Sequence, residues 1–96
     1  MSQGVRVVAA ESKIETRDRK AVKDAGGIMY KFVSPNYRGV PDDIVLLPIP
    51  EEHRTIIAKY FYFIEFKAPG KKPEPHQVRE HERIKKLGFE VKVIDK

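Results

Sequence analysis

Tyr60-Phe61-Tyr62-Phe63-Ile64-Glu65-Phe66-Lys67 is the stretch on which the reading of this chain turns. Five apolar or aromatic residues in a row predict a strand, and the run then ends in an acid and an amine. Residues two apart on a strand point to the same face, so Glu65 and Lys67 project together. A strand built for burial should continue apolar, because charged groups are expensive to bury unless paired or bound to a metal. A second acid, Asp42, stands at the start of another candidate strand, and the combination reads as a site.

The neighbouring segments fall into place around this one. The spacing predicts that residues 56–67 contain a long third strand, followed by a turn over 68–73. Residues 74–87 read as a helix with Pro75 in its first turn and Gly88 as its stop. Residues 89–94 alternate Phe89, Val91 and Val93 against Glu90 and Lys92, and read as a closing strand. Upstream, 48–54 reads as a loop and 43–47 as a strand bounded by Pro41 and Pro48. Residues 34–41 read as a loop, marked by two prolines, Asn36 and Gly39, and 28–33 as a strand. Residues 12–25 read as the first helix, with Ser12 and Glu15 at capping-box spacing and Gly26-Gly27 as its stop. Its apolar stripe is narrow: Ile14, Ala21, Val22 and Ala25. The order α-β-β-β-α-β implies an α/β fold, a mixed sheet with flanking helices.

The 96 residues are expected to make one domain with one modest core. A hydrophobic fraction of 41% argues for a folded chain. The net charge of +5 favours polyanionic partners such as nucleic acid. The chain has no cysteine, which excludes disulfides and thiolate metal sites and suits a reducing cytoplasm. No apolar run approaches the ~20 residues of a membrane-spanning helix. Residues 1–11, with one arginine and a few valines, do not read as a secretory signal.

On the second helix, Gln77, His81, Ile84 and Gly88 fall at helical spacing, so the Gln77 amide in the first turn shares the inward stripe. Asp42 and Glu65 are hard oxygen donors from two strands, of the kind Mg²⁺ and Mn²⁺ prefer. Lys67 beside them could orient a water or stabilise charge on a phosphate. A third acid, Glu15, lies on the first helix. Metal, water and lysine around a phosphodiester is the recipe for its hydrolysis. Each residue has a plainer reading. Glu65 and Lys67 could form a surface ion pair, Asp42 a turn, Glu15 a capping box and Gln77 a helix start. Lys31, Arg38, Lys71 and Lys72 are candidates for phosphate contact, or solvated charges. His53, His76 and His81 lack ligand spacing and read as non-metal. The aromatic residues of 60–66 read as core.

The string Gly26-Gly27, Lys31, Ser34-Pro35, Arg38-Gly39-Val40-Pro41-Asp42, Ile64-Glu65-Phe66-Lys67-Ala68-Pro69-Gly70-Lys71-Lys72, Gln77 and Leu87-Gly88-Phe89-Glu90-Val91 resembles the virus-type replication-repair nuclease (VRR-NUC) domain. The resemblance runs over residues 11–95 and is to the small stand-alone versions found in phages. These belong to the PD-(D/E)xK nuclease superfamily, whose signature here is Pro41-Asp42 and Glu65-Phe66-Lys67. It implies a restriction-endonuclease-like core and Mg²⁺- or Mn²⁺-dependent DNA cleavage. It implies metal binding by Asp42, Glu65 and the backbone carbonyl of Phe66, with Lys67 acting on the attacking water and Gln77 supporting the site. The helical acid of the family maps to Glu15 or Glu11, with Glu15 favoured by its distance to Gly26-Gly27. Stand-alone members are similar to Holliday-junction resolvases in acting as homodimers on branched DNA. The chain departs from the pattern at Asp18, where such helices carry a leucine-like residue. It departs again over 48–59, which is longer than a tight hairpin. Residues 4–10 have no counterpart. Two rival readings share the fold: a catalytically silent DNA-binding or assembly module, and a nickase without junction preference.

Overall fold

The computed structural model describes residues 3–96, with side chains from residue 10 onward. Its elements run α1 (Gln3–Asp24), β1 (Ile28–Lys31), β2 (Asp43–Leu46), α2 (Glu51–Ala58), β3 (Phe63–Phe66), α3 (Pro75–Lys86) and β4 (Val91–Ile94). The order is thus α-β-β-α-β-α-β, one helix more than the sequence predicts. The contacts divide at Leu47 and Pro48 into two units, each with its own two-stranded sheet.

In the first unit, α1 begins at Gln3, well before Ser12. Ser12 is therefore inside the helix, where its carbonyl accepts the Thr16 hydroxyl at 2.9 Å. The capping-box reading of Ser12 and Glu15 fails, because that device works only at a helix start. The other end is as expected: the Gly27 amide donates to the Val22 carbonyl at 2.9 Å, and Gly26 takes φ +80°. The anticipated apolar stripe is thinner still. Val22 is half-buried, whereas Ile14, Ala21 and Ala25 are exposed. The charged Glu15 and Arg19 share the half-buried face with Val22, and Arg19 Nη1 donates to the Met29 carbonyl at 2.9 Å. The helix is fastened to β1 by a cation and not by leucine-like packing, which fits an exposed Asp18.

Strands β1 and β2 are antiparallel, with Ile28 opposite Leu46 and Lys31 opposite Asp43. Ile28 and Leu46 are buried, Leu46 to 1% exposure, and form this unit's core. Gly27 is required here by close approach: a Cβ would sit 2.5 Å from the Leu46 carbonyl oxygen. The register places Asp43 at the mouth of the hairpin, where the Phe32 amide closes the loop onto the Asp42 carbonyl at 2.8 Å.

In the second unit, the segment expected to be a loop running into a long strand holds α2 instead. Pro50 precedes the helix, and Glu51 and Glu52 occupy its first turn, where the dipole favours acids. Strand β3 is consequently four residues long. It pairs in parallel with β4, Phe63 opposite Val91 and Glu65 opposite Val93, and α3 makes the crossover that a parallel pair demands. Ile49 and Ile84 are buried. The rings of Phe61, Phe63 and Phe89 meet edge to face at 5.4 to 6.3 Å.

The aromatic run of 60–66 is not uniformly core. Phe63 is half-buried, but Tyr62, Ile64 and Phe66 alternate onto the opposite face and are exposed, Phe66 to 71%. Lys92 crosses that face, with its ammonium 4.2 Å above the Tyr62 ring.

Candidate active site

In the second unit the pleat does what its period of two demands. Glu65 and Lys67 are both half-buried, whereas Phe66 between them is exposed. The Lys67 amide continues the pairing past the end of β3 by donating to the Ile94 carbonyl at 2.9 Å. Helix α3 delivers two side chains to Glu65 from one face. Gln77 Nε2 donates to Glu65 Oε2 at 3.1 Å, and His81 Nε2 lies 3.3 Å from Glu65 Oε1. Both carboxylate oxygens thus have a partner one helical turn from the other's. Gln77 is a helix-start residue as well, since its Oε1 accepts the Glu74 amide at 2.9 Å. The two readings of Gln77 therefore hold together, because an amide has a donor and an acceptor end. His81 was not anticipated as a partner of Glu65. The signal for it was present, since it stands four residues after Gln77 on the same stripe.

The first unit gathers a different group. Glu15 Oε2 accepts Lys31 Nζ at 2.6 Å and lies 3.9 Å from Arg19 Nη2. Asp43 Oδ1 lies 3.5 Å from the same Arg19 nitrogen and is enclosed without a hydrogen-bond donor. Glu15 is held below the ordinary carboxylate range, first by hydrogen bonding with Asp43 and next by Lys31. Asp43 is pushed above its ordinary range by that same hydrogen bond and by desolvation. The two shifts run in opposite directions, and hydrogen bonding between the two carboxyls is the first cause of both. Lys31 is pushed up by its bond to Glu15.

Asp42 is exposed and lines one cavity of about 580 Å³ with Glu11, Glu15, Asp18, Lys31 and Asp43. The sequence singled out Asp42, yet its neighbour Asp43 is the acid bonded to Glu15. Of the two candidates on the first helix, Glu15 is the bonded one and Glu11 is exposed. Among the described residues, no three His, Asp or Glu side chains stand grouped for a metal ion. Of the phosphate-contact candidates, Lys31 is engaged by Glu15, whereas Arg38, Lys71 and Lys72 are exposed on loops. No described helix is long and apolar enough to cross a membrane.

No family model matches the chain. It is 49% identical over 85 residues to "Putative nuclease p44" of Acyrthosiphon pisum secondary endosymbiont phage 1, covering 88% of this chain and 82% of that protein. It is 31% identical to a solved chain described as "VRR_NUC domain", covering 88% and 83% of the two, with a TM-score of 0.40. At 49% identity to that phage protein over most of both lengths, the chain belongs to the VRR-NUC family of phage-type nucleases.

Proposed function

We propose that the protein is a divalent-metal-dependent, structure-selective DNA endonuclease that acts as a homodimer on branched DNA such as Holliday junctions. The observation that carries this reading is Glu65, gripped at both oxygens by Gln77 and His81 with Lys67 on the same strand face. A carboxylate so fixed is oriented before any ligand arrives, which is what a supporting shell does for a metal ligand.

The ion is Mg²⁺ or Mn²⁺, with Asp42, Glu65 and the Phe66 carbonyl as its ligands. The donor chemistry fits, because all are hard oxygens. Within the first unit, Asp43 Oδ1, next to Asp42 in sequence, is an enclosed oxygen with no hydrogen-bond donor. Bound there, the ion supplies Lewis-acid stabilisation of a phosphate oxygen. Lys67 orients the water for in-line attack. Gln77 and His81 keep the Glu65 carboxylate from turning away. The exposed Ile64 and Phe66 of β3 offer apolar surface to a second copy. The setting is the cytoplasm of a bacterial or phage-infected cell.

The test is incubation of the purified protein with Mg²⁺ or Mn²⁺ and a panel of junction, flap, duplex and single-stranded DNAs. Junction cutting that disappears in EDTA is the expected result. DNA that is bound but intact with both ions would mean a silent module, and equal cutting of every substrate a nickase without junction preference. Sedimentation at micromolar concentration should show a dimer; a strict monomer that resolves junctions symmetrically would rule the homodimer out.

A further inference from the structure

Away from Glu65, the second unit carries a cavity of about 510 Å³ whose walls include Arg54, Thr55, Lys59, Lys85, Phe89 and Glu90. Its volume is that of a ligand pocket, but three of these residues are cations against the single acid Glu90, unlike the mostly apolar lining that small molecules prefer. We infer that this cavity is a second phosphate-binding site, which takes a backbone phosphate of the DNA away from the bond being cut. The inference rests on the nuclease reading, in that the polyanion is taken to be the substrate's own strand.

Arg54 is built into the site. Its Nε donates to the Ile49 carbonyl at 2.9 Å, which fixes the guanidinium plane. Its two terminal amino groups have no hydrogen-bond partner among the described residues, and that pair of donors is the fork that matches phosphate geometry. Its stem lies across Gly88, which adopts φ +102°; a Cβ there would meet Arg54 Cδ at 2.8 Å and collide with Nε. The glycine therefore does two things: it turns the chain after α3 and leaves room for the arginine. Lys59 has no ion pair among the described residues, and Lys85 has only a 3.8 Å approach to Glu82.

The position relative to Glu65 suits an extended strand. Lys85 stands one turn beyond His81 and two beyond Gln77 on α3. Eight residues of helix rise about 12 Å, and DNA rises about 3.4 Å per nucleotide along a strand. The cavity therefore lies roughly three to four nucleotides from the Gln77 amide. Helix α2, which the sequence did not predict, contributes Arg54 and Thr55 and leads directly into Lys59.

The experiment is DNA binding by fluorescence anisotropy in EDTA, where no cutting occurs, over a series of KCl concentrations. Lys59→Gln and Lys85→Gln should each weaken binding several-fold and flatten the slope of log affinity on log salt by about 0.9, with the effects adding in the double variant. Lys20→Gln, which removes an exposed lysine of α1, should change the affinity little. With Mg²⁺, the double variant should show a raised KM and an unchanged kcat. Unchanged affinity and salt slope in a folded double variant, beside a wild type that binds and cuts, would overturn the second site and leave the nuclease reading standing. A wild type that binds no DNA would overturn both.

Discussion

The two units hold their candidate acids in opposite ways. Glu65 is oriented by side chains that need no charge to do it: an amide and an imidazole on one helix face. Glu15 and Asp43 sit instead among Lys31 and Arg19 and push each other's titration in opposite directions. The first arrangement fixes a direction. The second stores an electrostatic conflict that cations relieve. Identical functional groups thus acquire different jobs from what surrounds them, and the difference tells which substitutions should act on chemistry and which on titration.

The largest effect is expected where orientation meets reaction. Lys67→Ala and Glu65→Gln should each lower the cutting rate by about 10²- to 10⁴-fold, the range for a lost acid–base or charge-stabilising group. DNA affinity in EDTA should be nearly unaltered. Near-wild-type cutting by either variant would remove the second unit from the chemistry.

A smaller effect separates the two ends of Gln77. Gln77→Ala loses both bonds, so cutting should fall about 10- to 100-fold as for a lost partner of a metal ligand. The helix start should lose about 1 kcal/mol, roughly 4–8 °C in Tm for a domain this small. Gln77→Glu keeps an oxygen for the Glu74 amide but sets a like charge against Glu65. Its Tm should stay near wild type while its activity falls as far as that of the alanine variant. Wild-type activity in Gln77→Glu would show that Gln77 acts only as a cap.

The smallest effect tests the first unit. With Asp43 raised, its contribution to stability is present at low pH and is lost as pH rises through the raised value. With Glu15 depressed, its contribution is present above the ordinary carboxylate range and is lost as pH falls through the depressed value. Asp43→Asn keeps a permanent donor toward Glu15 and removes the pH-dependent contribution of Asp43. Its Tm should therefore hold up better than that of wild type as pH rises across the acid range. Parallel Tm–pH curves for the two proteins would mean that Asp43 is not raised by Glu15.

How much of this was legible in the chain depended on which force set each element. Gly26-Gly27, Pro75 and Gly88 are local stops and starts, and α3, β4 and the hairpin strands appear where they predict. Glu65 with Lys67 and Gln77 with His81 follow from periods of two and 3.6, so their faces could be read directly. Helix α2 could not. Thr55-Ile56-Ile57 are β-branched and run into aromatic residues, which reads as a strand, whereas Pro50 and the two acids behind it start a helix. The early start of α1 was hidden in the same way by Val5, Val7 and Val8. The pairing of Glu15 with Asp43 was out of reach because it depends on the hairpin register that sets Asp43 opposite Lys31. No pattern within either segment encodes that register.

The double duty of Gln77 ties a slow event to a fast one. When the opening turn of α3 frays, the Glu74 amide loses its acceptor and Glu65 loses its donor in the same motion. Deuterium uptake at the Glu74 amide would then count the moments at which the carboxylate swings loose. A bound cation or DNA that pins Glu65 should slow that uptake from a distance, without touching the helix.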